Sequence, residues 1–246
     1  MMMVDLGGYR VAAHVQPGSD PTVVFVAQMG TAGATWRPVI DLLTTTPAVV
    51  TYDRPGIGAS DARPEPGKPI PYSAPAAELA TMLDGLGVTG PLLLAGHSVG
   101  SLFIRMYAAN HPDRIAGVVH VDGSIPALRL WPGAPASVDG DRPDSSPVDS
   151  VAGEREMAGI ETPTVPGVVL CRTPGRWAVA LPDPAIDGRW QQAQADLAEQ
   201  IGATLVVATD AGHQLPREAP ALVAWAVDAV VRAARDGRDV VDPPPC

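Results

Sequence analysis

Ser98 stands in "AGHSVGS", with Gly96 two positions before it and Gly100 two after, between the apolar run "PLLLAG" and the amphipathic run "VGSLFIRMYAAN". A serine placed this way can act as a nucleophile. A strand that turns straight into a helix at one residue holds that residue in a tight, strained bend, and the two glycines remove side chains that would collide there. The hydroxyl then protrudes above the sheet, while the amide of Val99 opens the helix, where unpaired donors and the helix dipole favour negative charge. That amide supplies half of an oxyanion hole. The competing reading is a serine in an ordinary strand-to-helix turn, and the strand and helix predicted on either side weigh against it.

A serine hydroxyl at its ordinary pKa is a weak nucleophile and needs a base. Among five histidines, His213 in "ATLVVATDAGHQLPREAP" is best placed. It follows the last predicted strand, in a loop that opens at the same sheet edge as Ser98 if the strands are parallel. His14 falls in an early strand, His97 adjoins the serine, His111 ends a helix in "NHPDR", and His120 lies inside a strand. For these four, packing or solvation is the simpler reading.

The elements that must position these groups are legible as an alternation. "YRVAAHV" and "TVVFVAQ" read as early strands, residues 34–45 as a helix, and "AVVTYD" as a strand before the Gly/Pro-rich loop "RPGIGASDARPEPGKPIPYS". The helix "APAAELATMLDGLG" follows, with Ser73 as its expected N-cap and Gly87 as its stop. After strand "PLLLAG" and its helix comes strand "IAGVVHVD"; later come strand "PGVVLC", helix "GRWQQAQADLAEQ", strand "ATLVVAT" and helix "PALVAWAVDAVVRAAR". Short, continuously apolar strands between helices indicate a mostly parallel sheet covered on both faces.

Residues 123–166 interrupt this pattern with Pro, Gly, Ser and Asp and few large apolar side chains, "SVAGEREMAGI" being their only helical stretch. This segment is expected to be a lid or surface excursion, since it cannot build its own core. A single domain over residues 1–235 is expected, with 236–246 as a flexible tail.

Twenty-seven acidic against seventeen basic residues give a net charge of -10, which disfavours nucleic acid and anionic lipid surfaces as partners. A small-molecule substrate is the expected partner. Two cysteines make neither a disulfide framework nor a metal site, and Cys171 reads as a small core residue. No signal-peptide pattern or membrane-length apolar run is evident, so a cytoplasmic location is expected. The Arg-over-Lys, Ala- and Pro-rich composition suits a bacterial genome.

"AGHSVGS", "YDRPGIGAS", "NHPDRIAGVVHVDGS" and "DAGHQLPREAPALV" occur in an order that resembles the α/β-hydrolase superfamily over nearly the whole chain. The resemblance implies a mostly parallel sheet of about eight strands with helices on both faces, a minimal lid, and a Ser/acid/His triad working through an acyl-enzyme without metal or organic cofactor. It also implies a second oxyanion amide after the third strand, at Met29 in "VAQMGTAG". This chain has Ala27 and Gln28 where a His-Gly pair is usual, and Gln28 is placed to reach the pocket.

A second departure concerns the acid. The turn after the seventh strand often carries it, but "GVVLCRTPGRW" puts Gly175 at that position. Asp122, at the end of the sixth strand, is the leading candidate because some members use an acid there and the order Ser98, Asp122, His213 is kept. Asp183 and Asp187 are the alternatives, and Asp210 reads as a loop cap. Trp131 in the excursion and Arg172, with Arg176 and Trp177, are candidates for gripping substrate, against a competing reading as packing and surface residues. "YDRPGIGAS" lacks the spacing of a phosphate loop and reads as a structural turn.

The expected function is a serine hydrolase acting on a small ester, thioester or lactone. The alternatives are the same scaffold used as a lyase, cyclase or perhydrolase-type enzyme, or a ligand-binding, receptor-like or pseudo-enzyme member.

Overall fold

The computed structural model describes residues 1–65, 67–125, 138–139, 146–177 and 185–240. Its central sheet contains β1 (Met2–Asp5), β2 (Arg10–Gln16), β3 (Ser19–Val26), β4 (Pro47–Tyr52), β5 (Leu92–His97), β6 (Ile115–Val121), β7 (Gly167–Cys171) and β8 (Thr204–Val207). Their spatial order is β1-β2-β4-β3-β5-β6-β7-β8. β1 and β2 run antiparallel to their neighbours, and β3 through β8 pair in parallel. The helices are α1 (Arg37–Ile40), α2 (Ser73–Gly85), α3 (Val99–Asn110), α4 (Ser150–Met157), α5 (Ala185–Ile201), α6 (Leu215–Glu218) and α7 (Pro220–Asp236).

Alternation along the strands divides the interior into two cores. Val24, Val26 and Leu94 face α2, α3 and α5, whereas Val23, Phe25, Leu93 and Ala95 face α7, whose Val223, Val227 and Val230 are fully buried. Both sheet faces are therefore dry, as the continuously apolar strands require. Because the six central strands are parallel, their C-terminal ends open on one edge, and the loops carrying Ser98, Asp122 and His213 all leave from it.

Four local expectations need correction. The helix over 34–45 is only a 3₁₀ turn at Gly33–Trp36 followed by the single turn α1. Asp228 of α7 explains the stop, because its carboxylate accepts the amides and hydroxyls of both Thr44 and Thr45 and pulls the chain out of helical register. Ser73 is the first residue of α2 and not its cap; its amide and hydroxyl donate to Glu156 of α4. β1 was not among the expected strands, and a turn with positive φ at Gly7 and Gly8, whose amides donate to Asp5, folds it onto β2. Finally, "GRWQQAQADLAEQ" is helical, but α5 begins earlier, at Ala185.

Within 123–166 the described part holds a two-residue ribbon, Val138–Asp139 with Ser146–Pro147, and then α4, which Asp149 caps by accepting the Ala152 amide at 2.9 Å. Val148 bridges to Ile70, tying the return of this segment to the loop after β4. At the other end of the chain, Gly237 ends α7 in the left-handed conformation, and residues 241–246 of the expected tail lie outside the described residues.

Candidate active site

Ser98 joins β5 to α3 with φ 53° and ψ −121°, a conformation that costs a non-glycine residue energy and is held by its surroundings. The glycine spacing follows from how closely the backbones approach. A Cβ on Gly100 would lie 2.4 Å from the carbonyl oxygen of Val26, and one on Gly96 would lie 2.7 Å from the Gly100 carbonyl. Only glycine fits at either position, so the serine between them is presented on a rigid bend.

His213 reaches this hydroxyl from the loop after β8, its Nε2 standing 3.0 Å from Ser98 Oγ. On its other side Nδ1 lies 2.5 Å from Asp122 Oδ2. The geometry matches a relay in which the ring takes a proton from the hydroxyl while the carboxylate fixes its tautomer. His97 supports the loop: its Nε2–H donates to the His213 carbonyl at 2.7 Å. Burial pushes the His97 pKa down to about 3, with the nearby His213 adding to the effect, so this ring stays neutral at ordinary pH.

Asp122 is wholly buried, also with positive φ, and receives donors from several elements. Trp190 Nε1 of α5 donates to Oδ1 at 2.9 Å, the Arg172 amide to Oδ1 at 3.2 Å, and Arg172 Nη1 to Oδ2 at 3.0 Å. Burial by itself would raise the carboxyl pKa, but the hydrogen bond and charge of His213 and the Arg172 guanidinium outweigh it and hold the group below its ordinary value. The other carboxylate weighed from sequence, Asp187, bonds instead to Arg172, the Gly175 amide and Trp177 Nε1. Asp183 lies outside the described residues, as does Trp131.

Arg172 is not at the mouth of the site. It is fully buried, with ion pairs to Asp122 and Asp187 and its guanidinium over the rings of Trp177 at 3.6 Å and Trp190 at 4.8 Å. A buried guanidinium committed to two carboxylates cannot grip a substrate. Arg176 is exposed and pairs with Asp210. Gln28 exchanges hydrogen bonds with Gln214, at 2.8 and 3.0 Å, and so links the loop after β3 to the histidine loop.

Met29 follows in that loop, packed in part against the core beneath α3, and Val99 opens α3. Sequence reasoning missed what holds the first of these. Arg54, buried at the start of "RPGIGAS", donates from Nη1 to the Ala27 carbonyl and from Nη2 to the Gln28 carbonyl, both at 2.7 Å. Pinning the Gln28 carbonyl fixes the plane of the Gln28–Met29 peptide, and thereby the direction of the Met29 N–H. The signal was the arginine that follows a strand in a motif read only as a turn.

A sheet of this order with a strained serine bend at the end of its fifth strand defines an α/β-hydrolase architecture. The family model for the alpha/beta hydrolase fold matches residues 21–147, about half of the chain, and the chain belongs to this family. Among curated relatives, a putative carbamate hydrolase, RutD, of Caulobacter segnis is 35% identical over 119 residues, covering 47% of this chain and 43% of its own length. The chain thus spans less than half the length of that relative. A thermophilic esterase from Thermogutta terrifontis superposes with a TM-score of 0.67 at 20% identity, covering 95% of this chain and 98% of its own. A thioesterase domain from the curacin biosynthetic pathway superposes with a TM-score of 0.59 at 17% identity, covering 91% of this chain and 96% of its own. Among the described residues no helix is long and apolar enough to cross a membrane.

Proposed function

We propose that the protein is a serine hydrolase that cleaves a small ester, thioester or lactone through an acyl-enzyme on Ser98. The observation that carries this reading is the continuous relay from Ser98 Oγ through His213 to buried Asp122, with contacts of 3.0 and 2.5 Å. His213 takes the Ser98 proton as the hydroxyl attacks the carbonyl carbon. Charge then develops on the carbonyl oxygen, which the amides of Met29 and Val99 receive, the first aimed by Arg54 and the second strengthened by the α3 dipole. The imidazolium returns its proton to the leaving group. Water, deprotonated by His213, releases the acyl group by the same steps in reverse order.

Asp122 stays ionised throughout and holds the ring in the tautomer with Nδ1–H toward the carboxylate. Esterase, thioesterase and carbamate hydrolase in the names of the similar proteins are all acyl-transfer activities and fit this site's chemistry. The test is intact-mass spectrometry after treatment with a fluorophosphonate, alongside hydrolysis of short p-nitrophenyl esters by the parent, Ser98→Ala and His213→Ala. One adduct on Ser98, with loss of turnover in both variants, supports the reading; an unlabelled Ser98 rejects it.

A further inference from the structure

Arg172 brings a full positive charge within hydrogen-bond reach of the carboxylate that faces His213, at the end of the very strand whose following turn lacks an acid. Its two terminal nitrogens are each paired with a carboxylate, while its buried Nε has no hydrogen-bond partner among the described residues. Trp177 and Trp190 lie against it at 3.6 and 4.8 Å, their rings 5.2 Å from each other, while Asp122 accepts from Nη1 and Asp187 from Nη2. Asp187 in turn receives the Gly175 amide and Trp177 Nε1, at 2.8 and 2.7 Å, so its own position is fixed. The result is a row of alternating charge: Asp187, Arg172, Asp122, His213.

We propose that Arg172 is a positioning residue that tunes the basicity of His213 through Asp122, with Asp187 as the counter-charge that limits its effect. This rests on the triad reading given above and deepens it. A carboxylate facing imidazole stabilises the imidazolium; a guanidinium on the far side of that carboxylate opposes that stabilisation. Asp187 partly cancels the guanidinium. Removing Arg172 therefore strengthens the base, and removing the charge of Asp187 weakens it.

Among the described residues, the other groups near this row are neutral or exposed. His97 of β5 is buried and neutral, and burial keeps the Cys171 thiol of β7 protonated, 3.7 Å from Asp122 Oδ1. Among the described residues, α5 also brings the uncharged Trp190 and Gln191 to this row, the latter accepting from Cys171. On the histidine loop and beside it, the Arg176–Asp210 and Arg217–Glu218 pairs are exposed at one or both partners, where solvent screens them.

The experiment compares the acid limb of the kcat/KM pH profile in the parent, Arg172→Gln, Arg172→Lys and Asp187→Asn, with the imidazole resonances of His213 titrated by NMR on the same samples. Arg172→Gln is expected to move the limb and the ring titration up by about one pH unit, Asp187→Asn to move both down, and Arg172→Lys to restore much of the parental position. A purely structural role would lower the rates and leave both midpoints in place. Shifts in one direction for both charge-removing variants, or no shift, overturn the inference. Because Asp187 is 18% exposed at its side chain, its variant carries the comparison even where Arg172→Gln does not fold. Fluorophosphonate labelling of Ser98 separates the two readings: labelled parent with unmoved titrations rejects only the role of Arg172, whereas an unlabelled Ser98 rejects the triad itself.

Discussion

Among the described residues, the hydroxyl of Ser98 has His213 Nε2 in reach at 3.0 Å and, more weakly, Ser124 Oγ at 3.3 Å. In the proposed mechanism its reactivity depends on whether the imidazole is oriented, and Asp122 is the group in contact with the ring's Nδ1. Asp122→Asn keeps the shape but favours the wrong tautomer, and kcat/KM for p-nitrophenyl acetate is expected to fall about 10⁴-fold while the folded structure persists by circular dichroism. Arg54 acts at one further remove. Replacing Arg54 by Met frees the Gln28 carbonyl and with it the Met29 amide, so kcat should fall on the order of 10²-fold with KM little changed, as expected for a contact made in the transition state. Steady-state kinetics that showed the loss in KM instead would place Arg54 outside oxyanion stabilisation. Asp122 was the leading one of three aspartates weighed, whereas Ser98 and His213 were readable as candidates from their neighbours in sequence. The roles of Arg54 and Arg172 were not, because a buried arginine and a surface arginine are the same letter until packing decides which it is.

The strand–bend–helix unit β5–α3 is the element on which the site depends, and its tolerance is set by distances. A methyl on Gly100 would meet the Val26 carbonyl at 2.4 Å, with strand backbone that cannot move aside, so Gly100→Ala should push α3 off β3 and lower the melting temperature by several degrees, with activity lost along with it. Thermal denaturation followed by circular dichroism reads this directly; an unchanged midpoint would show that the contact relaxes cheaply. Most strands and the longer helices were legible because each carries its own apolar run or helical spacing. α1 was not. The spacing of Trp36, Val39 and Ile40 is helical, but Asp228, nearly 190 positions later, takes the donors of Thr44 and Thr45 and ends the helix after one turn. β1 was missed for a related reason, since "MMMVD" carries no turn signal ahead of it and gains strand structure by pairing with β2.

Across the whole molecule, stability is linked to pH through the carboxyls that folding holds ionised. Asp228 has its pKa lowered although burial opposes the charge, because the hydroxyls and amides of Thr44 and Thr45 stabilise it; Asp122 is lowered likewise by His213 and Arg172. A carboxyl with a lower pKa in the folded than in the unfolded chain adds stability in full above about pH 4, and loses it as pH falls from there towards the folded value. Urea midpoints should accordingly fall on acidification below about pH 4, and fall less steeply in Asp228→Ala, which is less stable than the parent at neutral pH. Equal slopes would remove Asp228 from the acid transition. By itself the sequence determined the layered α/β class, the bend at Ser98 and the histidine loop, since these are written in contiguous residues whose periodicity and turn chemistry act locally. Only the tertiary structure decided which acid meets His213 and what the arginines do. Those outcomes depend on donors and acceptors brought together from just beyond the ends of three strands, β4, β6 and β7, and from α5, and a buried charge settles wherever the folded chain can satisfy it.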